Sequence, residues 1–315
     1  MCDSDARAMP ELPDIESYCH ALRARVVGQP LEGFELLSPF VLRTVSPAPA
    51  SVVGSRLLSV SRLGKRIVFS FEHDVHAVVH LMIAGRFRFE AATGKPPKPL
   101  SPRAGPLLRM TFPTGLLTLT EVSKRKRAKL HMVQGAVALA EHDPGGIEPL
   151  EVDAAAFRAA LTAENHTIKR ALTDPRVLSG IGNAYSDEIL HRAELSPVRW
   201  TTRLSDDDFA RLYAATRAVL TEFRDRMIAE LDGGFPEKVT AFRHDMAVHG
   251  KYGQPCPVCS DPVQRIRYAD NETNYCARCQ NDGVLLADRS LSRLLKGDWP
   301  KTLDALEELK RARQR

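Results

Sequence analysis

No stretch of the 315-residue chain approaches the roughly 20 uninterrupted apolar residues that a membrane-spanning helix needs. The opening Met1–Met9 carries two Asp, one Arg and no apolar run, so no export signal is expected there. These two absences predict a soluble protein that is neither secreted nor inserted in a membrane. Internal repeats are also lacking, which excludes solenoids and propellers. A large excess of either charge is missing: Lys plus Arg number 44 against 39 Asp plus Glu, a net charge of +5. That excess suits a polyanion partner only if it is clustered. Hydrophobic residues at 43% and charged residues at 26% are ordinary for globular domains, and the length suits two or three of them.

What is present is unevenly placed. Of six cysteines, Cys2 and Cys19 stand apart, whereas Cys256, Cys259, Cys276 and Cys279 form two C-x2-C pairs sixteen residues apart. In a chain without an export signal this spacing reads as a structural zinc site rather than a disulfide framework, and it implies a reducing compartment. Two knuckles supply a closed tetrahedral thiolate shell, so the ion would hold a hairpin together and would not catalyse.

Strand patterns run from Leu57 to Glu121: RIVFSFE from Arg66, VHAVVHLMI from Val75, then LLRMTF and LLTLTE about the turn Pro113-Thr114-Gly115. Another strand is expected near Leu130–Val133, and the five prolines between Lys95 and Pro106 predict a loop. The aperiodic, acidic stretch Glu141–Asp153 reads as a linker. Helices follow. Ser205 with Asp208 forms a capping box ahead of a long amphipathic helix carrying Phe209, Leu212, Tyr213, Leu220, Phe223 and Met227. The tail 281–315 alternates Leu with charged residues, which fits either a helix packed on the body or a nucleic-acid-binding arm.

Four further features bear on phosphate chemistry. Gly180-Ile181-Gly182 precedes Asn183 at a helix start, a place where backbone N–H groups bind anions, though it also reads as an ordinary helix connection. Ser123–Lys129, SKRKRAK, has five basic residues in seven, giving local positive potential or merely a solvated loop. Arg265, Arg267, Asn271 and Thr273 are expected at or beside the finger tip, where phosphate contact and plain solvation are equally good readings. Finally, Met9-Pro10-Glu11 opens a helix, and Lys65 lies in the turn LGKR, read as exposed. Pro10 becomes a nucleophile only if the chain begins there, with Met1–Met9 as a processed or misassigned extension.

Taken in order, PELPDIE at Pro10, RLGKRIVF around Lys65, HLMIAGR at His80, TDPRVLSGIGNAYSDEIL and the CPVC to YCARCQ module resemble the formamidopyrimidine-DNA glycosylase and endonuclease VIII superfamily, as a divergent bacterial member. The resemblance implies an α+β protein: an N-terminal antiparallel β-sandwich at 10–140, the linker 141–153, a helix-two-turn-helix domain at 154–249, a four-cysteine zinc finger at 250–280 and a helical tail at 281–315. It implies a monomeric cytoplasmic base-excision-repair enzyme that binds damaged double-stranded DNA between its domains. Such an enzyme removes the base through a Schiff base and cleaves the strand as an abasic-site lyase. Pro10 resembles the nucleophile, Glu11 its acid/base partner and Lys65 the lysine that touches phosphate and assists proton transfer. Asn183, Lys169, Arg127, Glu188 and Asn271 fall to the DNA-binding set, and the four finger cysteines to one zinc ion.

Departures from the family pattern carry their own expectations. Asn271 stands where the finger normally has an arginine serving the second, δ, elimination. Ile83 replaces a wedge methionine, SKRKRAK lacks an aromatic, the 233–250 stretch is short, and Asp14 replaces a glutamate. Base recognition is therefore expected to differ. A rival reading of the same departures is a lesion-binding protein that has lost the chemistry.

Overall fold

The computed structural model describes residues 9–93, 105–123, 126–236, 243–268, 272–286 and 300–313. Two compact units divide it: Met1–Gly145 with Thr221–Ala241, and Gly146–Leu220 with Phe242–Arg315.

In the first unit, α1 (Leu12–Val26) begins at a reciprocal capping box between Glu11 and Asp14, with a proline in its first turn. Its apolar positions Leu12, Ile15, Tyr18, Cys19, Leu22 and Val26 recur at helical spacing and are all fully buried. Strands β2 (Leu57–Leu63), β3 (Arg66–Phe71), β4 (Val75–His80) and β8 (Lys129–Gln134) form one antiparallel sheet in the order β2-β3-β4-β8. Strands β1 (Gly33–Leu36), β5 (Gly85–Ala91), β6 (Pro106–Phe112) and β7 (Gly115–Glu121) form a second, ordered β1-β6-β7-β5. Alternate residues of both sheets, among them Ile67, Phe69, Phe87, Met110 and Leu119, meet in one core, so the layers make a sandwich. Phe69 of one sheet meets Phe87 of the other edge-on, with ring centroids 5.8 Å apart. Val68, Val78 and Val133 face the other way and are covered by α2 (Ala136–Ala140) through Ala138 and Leu139.

Three local expectations need correction. The strand expected through Ile83 ends at His80, because Met82 takes φ +54° and its N–H turns back to His80 Nδ1 at 2.9 Å. Pro106, placed in the loop, opens β6, a first position where a missing N–H costs no ladder bond; residues 95–104 of that loop lie outside the described residues. The strand patterns also pass over β5, whose arginines mask its alternation and which pairs with β7 along its whole length.

Gly115 closes the β6–β7 hairpin opposite Ala91, where an added Cβ would lie 2.2 Å from Glu90 O. Gly115→Ala is therefore expected to cost about 1–3 kcal/mol as the strands are forced apart. Urea unfolding with an unchanged m-value is the check.

The second unit is helical and carries the finger. Its helices are α3 (Ala154–Thr162), α4 (Ile168–Thr173), α5 (Asn183–Arg192) and α6 (Asp206–Leu231), whose residues from Thr221 group with the first unit. Asp153 caps α3 by accepting Ala156 N–H at 2.8 Å. The Ser205 box is present in both directions, at 2.9 and 3.2 Å. Residues 146–152, expected as linker, are instead held in this unit. Ile147 bridges Leu178, and the carbonyls of Leu150 and Val152 accept from Arg217 and Tyr213 at 2.6 and 2.9 Å. The finger comprises the hairpin β9 (Gln264–Arg267) and β10 (Glu272–Tyr275), then α7 (Ala277–Asn281); α8 (Leu303–Arg313) follows in the tail.

Candidate active site, phosphate-binding residues and metal centre

Within the sandwich unit the start of α1 meets the β2–β3 hairpin. Pro10 is buried, Glu11 is 3% exposed and Asp14 is 0% exposed. Asp14 accepts the Glu11 N–H at 2.8 Å, which sets the direction in which Glu11 and the preceding Pro10 leave the helix. Lys65 occupies the second position of a two-residue turn between the paired Leu63 and Arg66, with Gly64 at φ +59° as such turns require. Arg62 holds that turn to the helix, reaching Glu16 and Gly64 O at 3.0 Å each.

Lys65 is half-buried, not the exposed turn residue that the sequence predicts. Desolvation lowers its pKa below the ordinary lysine value, while the carboxylates of Glu11 and Asp14 pull it back up. The structure thus brings an amine of reduced proton affinity to two buried carboxylates, directly after Pro10. Beside it, burial first and the charges of Arg66, Lys129 and Lys65 next push His80 down to about 4, so its imidazole is neutral.

The basic loop is shaped by a residue that spacing did not single out. Glu121 is 1% exposed, and its carboxylate accepts the N–H of Arg127 at 3.0 and 2.8 Å and of Ala128 at 3.0 Å. Its carbonyl also accepts the Lys126 ammonium. The Arg127 side chain is exposed, whereas Lys124 and Arg125 lie outside the described residues. Ile83 is half-buried, and its carbonyl accepts Arg86 at 2.9 Å.

In the helical unit Gly182 caps α5 and Asn183 begins it. The Asn183 amide donates to Glu272 O at 2.8 Å, and its carbonyl accepts Lys169 Nζ at 2.9 Å. Lys169 also pairs with Asp187, so both expected phosphate ligands are held in place from within the unit. Glu188 departs from the DNA-contacting role. It is 5% exposed and accepts the N–H groups of Ala247, Val248 and His249 at 2.7, 2.9 and 2.9 Å, so its carboxylate faces the chain entering the finger. Burial raises its pKa despite those three bonds. Asp187, which spacing did not single out either, accepts His249 Nδ1 at 2.8 Å and Asn274 N–H at 3.1 Å. Its only sequence signal is the four-residue step from Asn183 along one helix face.

The finger places the Sγ atoms of Cys256, Cys259, Cys276 and Cys279 all within 4.8 Å of one another. A tetrahedral zinc with bonds of about 2.3 Å separates its sulfurs by about 3.8 Å. Cys256 and Cys279 lie 3.9 Å apart and Cys259 and Cys276 3.3 Å, so the set fits one structural zinc ion. On the hairpin, Thr273 is 2% exposed and Arg265 pairs with Glu272 at 3.5 Å over the Tyr252 ring, which removes both from an open tip. Arg267 remains exposed, and Asn271 lies outside the described residues.

A sandwich with a buried acid and lysine, a Gly-turned helix pair and a four-cysteine finger define a class of zinc-finger DNA-repair folds. Residues 9–130 match the formamidopyrimidine-DNA glycosylase N-terminal domain, 146–225 its H2TH domain, and 253–281 the zinc finger found in FPG and IleRS. The formamidopyrimidine-DNA glycosylase of Thermus thermophilus is 33% identical over 292 residues, covering 87% of this chain and 100% of that protein. The crystal structure of the MutM (Fpg) protein from Thermus thermophilus is 31% identical with a TM-score of 0.70, over 86% of this chain and 98% of that one. The Lactococcus lactis Fpg bound to DNA containing N7-benzyl-Fapy-dG is 26% identical with a TM-score of 0.74, over 86% of this chain and 100% of that one. The chain belongs to the formamidopyrimidine-DNA glycosylase family.

Proposed function

We propose that this protein is a DNA glycosylase with abasic-site lyase activity, acting on damaged double-stranded DNA in base-excision repair through Pro10. The observation that carries the reading is the desolvated Lys65 amine beside Glu11 and Asp14, at the helix start that follows Pro10. A terminal proline amine, with a pKa near the α-amino range of about 7.7–8.0, is substantially neutral at physiological pH. It attacks the sugar C1′ and the glycosidic bond breaks, with Glu11 relaying protons to the departing base and the opening sugar ring. In the resulting iminium ion a C2′ proton is lost and the C3′–O bond breaks, releasing the downstream strand with a 5′-phosphate end. Water then hydrolyses the conjugated iminium ion, leaving an unsaturated aldehyde on the 3′ end of the upstream strand and freeing Pro10. A lysine of lowered pKa is suited to taking and returning a proton in that sequence.

Asn183, Lys169 and the exposed Arg127 are assigned to phosphate contact, the first two pre-set by their bonds within the helical unit. Zinc, when bound, supplies no chemistry to the reaction; the four cysteines and the residues around them hold the finger's shape. Among the described residues no helix is long and apolar enough to cross a membrane. We assign the protein to the bacterial cytoplasm as a monomer.

A sequencing-gel assay on duplexes carrying an abasic site or an oxidised purine tests both activity and product. Asn271 lacks the charge to help the second phosphate leave. The β-elimination product, with its 3′ unsaturated aldehyde, is therefore expected to accumulate. Prompt appearance of a 3′-phosphate would show that another cation serves the second step, and no incision of either duplex would favour a lesion-binding protein.

A further inference from the structure

Helix α5 carries polar residues at Asn183, Asp187 and His191, four apart, so the three side chains lie on one face. Each is engaged by the finger or the chain leading into it. Asn183 donates to Glu272 O at 2.8 Å, Asp187 accepts His249 and Asn274 at 2.8 and 3.1 Å, and His191 Nε2 lies 3.2 Å from Cys256 Sγ. The last contact is buried, with His191 6% and Cys256 1% exposed.

We propose that His191 is a positioning residue for the zinc centre, its Nε2–H donating a hydrogen bond to the metal-bound Cys256 thiolate. A ligating cysteine has already given up its proton, so its sulfur can only accept. An imidazole whose Nε2 were bare would set lone pair against lone pair across 3.2 Å, in a place water does not reach. The donor tautomer is therefore the one that fits. Four thiolates around one Zn²⁺ leave the cluster with a net negative charge, and a buried N–H aimed at sulfur spreads that charge and holds the ligand's direction. Cys276 receives such a donor from the Cys279 backbone at 3.5 Å; for Cys256 it comes from α5. The same bond ties the metal to the helix whose other end presents Asn183. The inference concerns metal retention and stands whichever base is excised.

The test is zinc release from the full-length, zinc-loaded protein to a chromogenic chelator, comparing His191→Phe with His191→Gln. Phe keeps the bulk and loses the donor; the Gln Nε2 amide reaches about as far as the imidazole Nε2. The Phe variant is expected to hold zinc about 10- to 100-fold more weakly, with Gln restoring most of the loss. In cobalt-substituted protein the sulfur-to-metal charge-transfer band is expected to move in the Phe variant and stay near the parent position in Gln. Zinc retention by Phe equal to that of the parent overturns the proposal. Equal loss in Phe and Gln also overturns it, because shape alone would then explain how the centre is held. If the Phe ring does not fit, His191→Asn, whose amide is too short to reach the sulfur, replaces it in the same comparison.

Discussion

Borohydride added to abasic duplex DNA is expected to trap a covalent adduct with protein that begins at Pro10, and none with protein that keeps Met1–Met9. The difference should be all or none. An iminium ion forms only on an amine with a free lone pair, and in the longer chain the Pro10 nitrogen is a tertiary amide whose lone pair is delocalised into the Met9 carbonyl. The buried setting of Pro10 and the capping box behind it leave the peptide nitrogen an ordinary amide, so geometry does not rescue it. Intact-mass measurement of protein made from the natural gene should correspondingly find Pro10 as the first residue. A strong adduct from protein verified to retain Met1 would remove Pro10 from the chemistry and shift the search to a lysine.

Lys65→Ala is expected to lower strand cleavage at an abasic site by about 10²- to 10⁴-fold, the usual worth of a positioned acid or base. Folding should suffer far less. The amine is desolvated with its pKa lowered, so the folded state binds its proton less tightly than the unfolded state does. Between the lowered value and the ordinary lysine value the unfolded chain carries more protons, and stability rises with pH across that window. Below the window the full cost of the buried charge is present; above it the cost has gone. The Ala variant should therefore be at least as stable as the parent at neutral pH and should lose that part of the alkaline rise. Paired urea unfolding at pH 7 and pH 10, beside single-turnover cleavage, separates the two effects. Parent-like cleavage would make Lys65 an ordinary half-buried side chain.

The sequence by itself determined the features that depend on local spacing. Two C-x2-C knuckles point their sulfurs inward because each is a tight turn, and the structure gathers all four. The Ser205–Asp208 box forms because its partners are three residues apart on one helix start. β3 and β4 were legible because apolar runs bounded by turns leave little choice of element. The expectations at Pro10 and Lys65 rest instead on the order of the motifs around them.

Tertiary structure decided what depends on partners distant in the chain. The carboxylates that act on the Lys65 amine belong to a helix start more than fifty residues earlier, and its turn position in the sequence wrongly predicted an exposed amine. Glu188 reads as one of the DNA-binding set until the chain at 247–249 folds back to donate three N–H groups to it. Asp187 and His191 show the same limit: each is an unremarkable residue within a helix, and each acquires its task from backbone or side chains that only folding brings near. A carboxylate or imidazole in water has many satisfactory neighbours. Once buried it has only those the fold supplies, and that choice is made by packing across the whole unit rather than by the residues on either side.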